Sequence, residues 1–178
     1  AAGDSTGGVQ VVDLPTLARV ARLRGHRQKV TRVAWSPSSD RLATGSVDRT
    51  VRVWSRGGVE QTVLWGHRGW INALAWRPSG KALASGGSDG TIRIWSPGDA
   101  GAERVLRQRR AITELVISTD GTVASAGEDG RVRLWGIDGE PVADLRGPGL
   151  IASALEWSPS GDRITFTGES TTGKIISA

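Results

Sequence analysis

The sequence TGSVDRTVRVWS at residues 44–55 recurs twice, as SGGSDGTIRIWS at 85–96 and as SAGEDGRVRLWG at 125–136. Each copy has a hydroxyl residue first, an aspartate four positions later and a tryptophan six positions after that. Asp48, Asp89 and Asp129 are separated by 41 and 40 residues. A catalytic site is needed once, whereas a structural unit is repeated, so this spacing indicates a repeat architecture.

Four short segments make up each repeat. In the second full copy they are INALAW at 71–76, ALAS at 82–85, TIRIW at 91–95 and RVL at 104–106. Several of them alternate apolar with other residues, and Gly, Pro, Ser and Asp fill the intervals, which is typical of strands joined by tight turns. We therefore predict four-stranded antiparallel sheets packed side by side, with no helix.

Further motifs point to a known family. They are Gly-His at 25–26 and 66–67, WSP at 35–37 and 157–159, WRP at 76–78, Trp-Ser at 54–55 and 95–96, and Trp-Gly at 135–136. With its period near 41 residues, the chain resembles the WD-repeat β-propellers, in which each repeat often closes on Trp-Asp. The resemblance covers most of the chain and implies an all-β propeller or partial propeller of about four blades in a single domain, 1–178.

The repeat also predicts boundaries, with the strands of a blade named a to d from the inside outward. Full repeats are expected at 25–65, 66–106 and 107–146, strands c and d of a blade at 1–24, and strands a, b and c at 147–178. One blade would thus be split between the two ends. Rings of this family usually hold seven or eight blades, so four should form an open arc. Three outcomes stay open: a fragment of a longer protein, a four-bladed ring, or an arc completed by a partner, which we favour as a two-fold homodimer with eight blades.

The serine, histidine and aspartate near Trp95 are the residue types of a hydrolase triad. The resemblance implies a different role, a buried chain of hydrogen bonds from indole to hydroxyl to imidazole to carboxylate. The expected members are Trp54, Thr44, His26 and Asp48 in the first full repeat and Trp95, Ser85, His67 and Asp89 in the second. Threonine and serine exchange between the two copies, which fits a hydroxyl bridge better than a nucleophile. We therefore predict that the protein is not an enzyme.

The later repeats depart from this pattern. The third keeps Ser125, Asp129 and Trp135, but Gln108 stands where histidine is expected. The fourth has Pro148, Thr172 and Ala178 at the histidine, aspartate and tryptophan positions. A buried network that lacks one member leaves its neighbours unsatisfied, at about 1 to 3 kcal/mol. We therefore expect these later blades to be looser.

Residues that the repeat does not require indicate where a partner would bind. Six of the eight tryptophans stand at repeat positions, and the other two, Trp65 and Trp70, flank the second Gly-His pair. The resemblance implies that the d-to-a and b-to-c turns emerge on one rim, where these propellers often hold peptides. The candidate rim comprises Arg27, Lys29, Val47, Arg68, Trp70, Ser88, Arg109, Arg110 and Glu128. A basic rim with an aromatic residue suits an acidic or phosphorylated peptide, with ordinary solvated loops as the alternative.

Composition narrows the remaining function classes. The chain has a formal net charge of +5, and the run RVLRQRR at 104–110 leaves nucleic-acid binding as the second hypothesis, although stacking aromatics within the run are absent. With no cysteine and two histidines, we expect no disulfide, metal or cofactor site. No long apolar run and no signal-peptide pattern is present, so we expect no membrane span and a cytoplasmic location. An engineered repeat chain without a partner is a further alternative.

Overall fold

The structure, a computed structural model, describes residues 2–3, 6–96, 102–136, 138–146, 152–169 and 175–177. Every regular element in these ranges is a β-strand, and the strands form five antiparallel sheets. The prediction of an all-β propeller or partial propeller is therefore confirmed. Among the described residues there is no helix of the length and apolar character needed to cross a lipid bilayer.

The strands follow one another along the chain, sheet by sheet. The N-terminal sheet contains β1 (Ala2–Gly3), β2 (Val9–Val12) and β3 (Arg19–Leu23). The first full sheet contains β4 (Val30–Trp35), β5 (Arg41–Ser46), β6 (Val51–Ser55) and β7 (Glu60–Leu64). The second contains β8 (Ile71–Trp76), β9 (Leu83–Gly87), β10 (Thr91–Trp95) and β11 (Ala102–Arg107). The third contains β12 (Ile112–Ile117), β13 (Val123–Gly127), β14 (Arg131–Trp135) and β15 (Pro141–Arg146). The C-terminal sheet contains β16 (Ala152–Trp157), β17 (Ile164–Glu169) and β18 (Ile175–Ser177).

Each full sheet is an antiparallel meander with irregularities at the same two places. The register shifts near the start of strand a, as between Ile71 and Ala73, and again just before the tryptophan of strand c, as between Ile94 and Trp95. Such bulges increase the local twist of a strand. The repeated sequence thus reproduces the backbone irregularities of the blade as well as its strands.

Successive sheets pack face to face through their inner strands, β4 against β8, β8 against β12 and β12 against β16. Two glycines on strand b allow this close approach. A Cβ atom at Gly45 would lie 2.4 Å from Ile71 Cγ2, and one at Gly86 would lie 2.4 Å from Ile112 Cγ2. Both isoleucine side chains are fully buried. The apolar core therefore lies between the blades, and each blade depends on the next one to cover it.

Polar contacts also join the first two full sheets. The indole Nε1 of Trp76 donates a hydrogen bond to the carbonyl oxygen of Ala34 over 3.0 Å. The guanidinium of Arg41 lies 5.3 Å from the centroid of the Trp76 ring, within range of a cation–π contact. Trp76, at the end of strand a, thus couples neighbouring blades.

The ends of the chain differ from the expected split blade. Strands c and d were predicted at the N-terminus, but Ala2 and Gly3 pair with Gln10 and Val9 and add a third strand. This strand, β1, lies against β4 as β5 lies against β8, so it takes position b. Among the described residues, the N-terminal sheet therefore holds strands b, c and d, and the C-terminal sheet holds strands a, b and c. The described residues thus form a three-stranded sheet at each end of the chain, and a blade shared between the two ends stays a prediction. Pro148, Thr172 and Ala178 lie outside the described residues.

Candidate functional site

The first full repeat brings the four expected polar residues into one chain of hydrogen bonds. Trp54 Nε1 donates to Thr44 Oγ1 over 2.9 Å, and Thr44 Oγ1 lies 2.8 Å from His26 Nε2. His26 Nδ1 lies 2.9 Å from Asp48 Oδ2. Because the ionised carboxylate can only accept, the ring proton belongs on Nδ1, and the threonine hydroxyl donates to Nε2. The chain ties strands b and c to the turn before strand a.

The second full repeat has the same arrangement with serine in place of threonine. Trp95 Nε1 donates to Ser85 Oγ over 2.8 Å, and Ser85 Oγ lies 2.8 Å from His67 Nε2. His67 Nδ1 lies 3.2 Å from both carboxylate oxygens of Asp89. Ser85 and Trp95 are fully buried. The serine oxygen is thus shielded from solvent and engaged by two partners, which favours a structural role.

Sequence reasoning missed one threonine in each of these chains. Thr50 Oγ1 donates to Asp48 Oδ1 over 2.6 Å, and its backbone amide donates to the same oxygen over 3.0 Å. Thr91 makes the corresponding bonds to Asp89 over 2.7 and 3.0 Å. The available signal was the Asp-x-Thr spacing at 48–50 and 89–91, which the third repeat replaces with Asp-Gly-Arg at 129–131.

These contacts set the charge state of the chain in the first repeat. Burial alone would raise the pKa of Asp48, but hydrogen bonds from Thr50, the Arg27 amide and His26 outweigh it and lower the pKa to about 2. Burial lowers the pKa of His26, although Asp48 opposes this shift. At neutral pH the pair is thus a neutral imidazole that donates to a carboxylate. The pKa of Asp89 is also lowered: burial opposes the shift, and bonds from His67 and Thr91 outweigh it.

The third repeat forms a different chain. Trp135 Nε1 donates to Ser125 Oγ over 2.9 Å, and Ser125 Oγ donates to Gln108 Oε1 over 3.0 Å. In place of an imidazole, the Arg133 guanidinium contacts Gln108 Oε1 at 3.4 Å and Asp129 Oδ2 at 2.6 Å. The expectation that the neighbours of Gln108 would be unsatisfied is therefore wrong for Ser125 and Asp129. Within this third chain, the Nε2 donor of Gln108 is buried and has no hydrogen-bond partner among the described residues.

The predicted rim residues lie on adjacent turns. Antiparallel strands place the d-to-a and b-to-c turns at the same end of each blade. In the three full repeats the two turns are also joined by a backbone hydrogen bond. These bonds are Val47 N to Lys29 O at 3.0 Å, Ser88 N to Trp70 O at 2.8 Å and Glu128 N to Ala111 O at 3.0 Å. Residues far apart in sequence are thus brought side by side.

Most of the candidate rim is open to solvent. Val47 is half-buried, and the other eight residues are exposed. Trp70 is 58% exposed although its backbone amide donates to Ser88 Oγ over 2.8 Å in addition to the bond at its carbonyl. A large aromatic side chain on an immobilised backbone is a low-entropy contact surface. Trp65 is 61% exposed and lies at the start of the same turn.

Two cationic cavities border this rim, at the same place in the first and third full repeats. The first, about 300 Å³, is lined by Arg27, Arg49, Arg52 and Trp65, among others. The second, about 540 Å³, is lined by Arg109, Arg110, Asp129, Arg131, Arg133 and Asp144. Both volumes fall within the range of roughly 300 to 1,000 Å³ that is common for ligand sites.

Arg49 has an unusual backbone in the first cavity. Its φ is 71°, in the left-handed region, and the corresponding residues of the other two repeats are Gly90 at 72° and Gly130 at 69°. Holding a side chain in this region costs about 1 to 2 kcal/mol. The turn therefore keeps an arginine at some expense in stability. In the part of the chain that the structure describes, no cluster of three metal-binding side chains is present.

Comparison with known proteins agrees with this architecture. The family model for the WD domain, G-beta repeat (WD40), matches residues 17–55, 58–96 and 103–136, more than half of the chain. The chain belongs to the WD40 repeat family. The resemblance to WD-repeat β-propellers that the sequence motifs indicated is therefore confirmed. Each of the three matched segments includes strand c of one full sheet.

Three curated relatives match shorter parts of this WD40 chain. A probable cytosolic iron-sulfur protein assembly protein CIAO1 homolog of Chlamydomonas reinhardtii is 54% identical over 41 residues, 23% of this chain and 12% of the relative. The F-box-like/WD repeat-containing protein TBL1X of Homo sapiens is 45% identical over 58 residues, 30% of this chain and 10% of the relative. THO complex subunit 3 of Arabidopsis thaliana is 50% identical over 32 residues, 18% of this chain and 10% of the relative. The matches thus span about a tenth of the length of these relatives.

Proposed function

We propose that this WD40 chain is a non-enzymatic platform for protein interactions, and that its rim binds an acidic or phosphorylated peptide. The observation that carries the proposal is the pairing of the d-to-a and b-to-c turns by backbone hydrogen bonds in the three full repeats. This pairing gathers Arg27, Arg68 and Arg110 and an exposed Trp70 on one end of the blades. Fixed cations around an aromatic anchor match an extended anionic partner.

A structural role for the serine-histidine-aspartate group supports the non-enzymatic part of the proposal. Ser85 Oγ is already engaged by the Trp95 indole and the His67 ring and is shielded from solvent. Oxyanion stabilisation and substrate access, which hydrolysis requires, have no counterpart at such a position. The name of one relative, a THO complex subunit, supports protein assembly as the class of function.

A peptide library tests the proposal directly. The chain is titrated with acidic, phosphorylated and neutral peptides of equal length, and binding is followed by tryptophan fluorescence, because Trp70 and Trp65 are exposed beside the arginines. The triple variant Arg27→Glu, Arg68→Glu and Arg110→Glu should lose binding of the anionic peptides. We expect at least about a tenfold loss, since each lost charge-assisted contact contributes a large share of affinity.

The opposite rim provides a matched control. The a-to-b and c-to-d turns lie at the other end of the strands, and Arg56, Lys81 and Arg163 on those turns are exposed. Changing these three residues to glutamate alters the net charge equally. Equal loss in the two triple variants would indicate general charge attraction and contradict a rim site.

We also propose that further blades complete the arc, either from a second copy of this chain or from a longer chain. In the described strands, β18 is an edge of the C-terminal sheet with no strand paired beyond it, and the N-terminal sheet has no strand a. Exposed edges of this kind favour pairing with another chain. Light scattering tests the homodimer: twice the 18.8 kDa of one chain supports it, and a stable monomer rules it out.

A further inference from the structure

The charge arrangement around the larger cavity goes beyond a generally basic rim. Among the described residues, four arginines and two aspartates line it, so the uncompensated charge of this lining is +2. Arg131 Nη1 lies 3.0 Å from Asp144 Oδ1, and Arg133 pairs with Asp129 at 2.6 Å and with Asp144 at 3.6 Å. Arg109 and Arg110 are exposed and make no ion pair with any described residue. Two guanidinium groups therefore remain to receive an anion.

From this cavity we infer that the third full repeat binds the dianionic phosphate group of a phosphorylated serine or threonine side chain. The inference deepens the proposed rim function and rests on it for the peptide character of the ligand. A phosphate on a side chain carries a charge of about −1.5 to −2 and three acceptor oxygens. Its charge balances the uncompensated +2 of the cavity lining, and its oxygens can accept hydrogen bonds from the guanidinium groups of Arg109 and Arg110.

Three residues make the third repeat differ from the others at this place. Gln108 replaces the histidine, Arg131 replaces the threonine that follows the aspartate, and Asp144 replaces a valine on strand d. The register supports the last comparison, since the strand-d partners of the strand-c arginines are Val63, Val105 and Asp144.

These replacements explain the position of Arg133. In the first repeat His26 and Thr50 occupy the Asp48 carboxylate, and the strand-c arginine, Arg52, pairs with Glu60 instead. In the third repeat, without a histidine or a threonine, the carboxylate of Asp129 is free to bind Arg133.

Asp144 then anchors both arginines of strand c from the neighbouring strand. Guanidinium groups held by carboxylates on one side keep a fixed geometry on the other. Ligand binding to these arginines therefore costs less side-chain entropy than binding to arginines that no carboxylate holds.

The same carboxylates argue against a nucleic-acid backbone as the ligand. Asp129 and Asp144 border the cavity, and a chain of phosphates that extends past the two free arginines would meet them. No aromatic side chain is among the described residues that line the cavity, so these residues offer no stacking surface for bases. A single phosphate group satisfies the charge without this repulsion.

The test uses a short peptide with one phosphoserine, the same peptide unphosphorylated, its glutamate analogue, and a single-stranded oligothymidylate of ten nucleotides. Affinities are measured by calorimetry. In parallel, NMR follows the indole N–H of Trp135, which connects through Ser125 and Gln108 to Arg133. We expect the phosphoserine peptide to bind most tightly and to shift this resonance.

Two variants locate the site. Arg109→Gln with Arg110→Gln removes the free cations at exposed positions, and we expect at least about a tenfold weaker Kd for the phosphoserine peptide. Gln108→His with Arg131→Thr restores the residue types of the second repeat. We expect a similar loss of affinity, because the Asp129 carboxylate would then pair with the new histidine and threonine instead of Arg133. Arg27→Gln with Arg68→Gln is the control with the same charge change at the rim positions of the other repeats. It removes two cations of the rim but none of the cavity, so we expect a smaller loss of affinity, about threefold.

The outcomes separate this inference from the rim proposal. Equal losses in the Arg109/Arg110 variant and the control would overturn the phosphate site while leaving a rim that binds anionic peptides. Unphosphorylated acidic peptides that bind as tightly as the phosphoserine peptide would also overturn the phosphate site and leave the rim proposal standing. Tighter binding of the oligothymidylate, with a steep decrease of affinity as salt rises, would overturn the inference in favour of nucleic acid.

Discussion

Replacement of Asp89 by alanine removes the carboxylate acceptor at the end of the second hydrogen-bond chain. The carboxylate accepts from the Arg68 amide at 2.6 Å, the Thr91 amide at 3.0 Å and the Thr91 hydroxyl at 2.7 Å, and it lies 3.2 Å from His67 Nδ1. His67 and Thr91 are buried, so water does not replace the carboxylate for them. Arg68 is exposed, and its amide can bind water.

The expected magnitude follows from the donors left behind. The Thr91 hydroxyl oxygen, 3.1 Å from His67 Nδ1, can accept the ring proton, which leaves the Thr91 amide and the Thr91 hydroxyl proton as donors that lose their acceptor. One such donor costs about 1 to 3 kcal/mol, and the bonds of a charged acceptor are lost in addition. We therefore expect Asp89→Ala to lower the free energy of unfolding by about 3 kcal/mol.

Asp129→Ala in the third repeat is the matched comparison. Its partners are the Arg131 amide at 3.2 Å and the guanidinium of Arg133, which is partly exposed and keeps Asp144. We expect a loss of about 1 kcal/mol, because these donors retain other partners or solvent.

Urea unfolding of both variants, followed by far-ultraviolet circular dichroism, measures the difference. Equal destabilisation by Asp89→Ala and Asp129→Ala would refute the assignment of the buried chain in the second repeat. An Asp89→Ala protein that keeps full stability and loses a hydrolase activity would refute the structural role altogether.

Three further predictions concern strain, pH and packing. Arg49→Gly should raise the free energy of unfolding by about 1 kcal/mol, because glycine adopts a φ of 71° without strain; an unchanged urea midpoint would contradict this. Stability should decrease as pH falls through 6.5, since His26 stays neutral when folded and gains a proton when unfolded. Stability should decrease again as the pH falls from 3.8 towards about 2, because Asp48 becomes protonated in the folded protein over this range. Tm measured against pH follows both decreases, and His26→Gln should abolish the first one. Gly86→Ala should destabilise by about 1 to 3 kcal/mol through a clash with Ile112 Cγ2, and a normal Tm would refute the close blade packing.

Most strands of the fold can be predicted from short segments of the sequence. The segment INALAW at 71–76 was predicted as a strand and matches β8, while RVL at 104–106 was predicted two residues short at its start and one at its end. These segments are recognisable because alternating apolar residues and turn formers act over a few positions and because the repeat shows the same signal several times.

The N-terminal strand Ala2–Gly3 shows where such reasoning stops. AAGDSTGG has neither apolar alternation nor a place in the repeat, so nothing in it predicts a strand. Its pairing with Val9 and Gln10 depends on an edge that the folded sheet provides. Two residues contribute too little local preference to indicate a strand by themselves.

Of the three hydrogen-bond chains, the first two were anticipated from the sequence and the third was not. The spacing of Trp95, Ser85 and Asp89 repeats that of the first copy, so the sequence and the family resemblance together identified the members that the folded blade brings within hydrogen-bond distance. In the third repeat the sequence indicated only that Gln108 replaces a histidine. The partner of Asp129 was decided by Arg133, whose side chain is long enough to reach several carboxylates.

By itself, the sequence determined the repeat architecture and the positions of most strands, because these depend on patterns that recur about every 41 residues. The members of the two histidine chains followed from the sequence only together with the family resemblance. Only the tertiary structure decided which turns lie beside one another, where the two cationic cavities form and how Arg133 is held between Asp129 and Asp144. Asp144 is eleven residues from Arg133 in sequence, and the register of β14 and β15 makes them neighbours. Contacts of long charged side chains across strands follow from that register and from the charges around them, which no local pattern encodes.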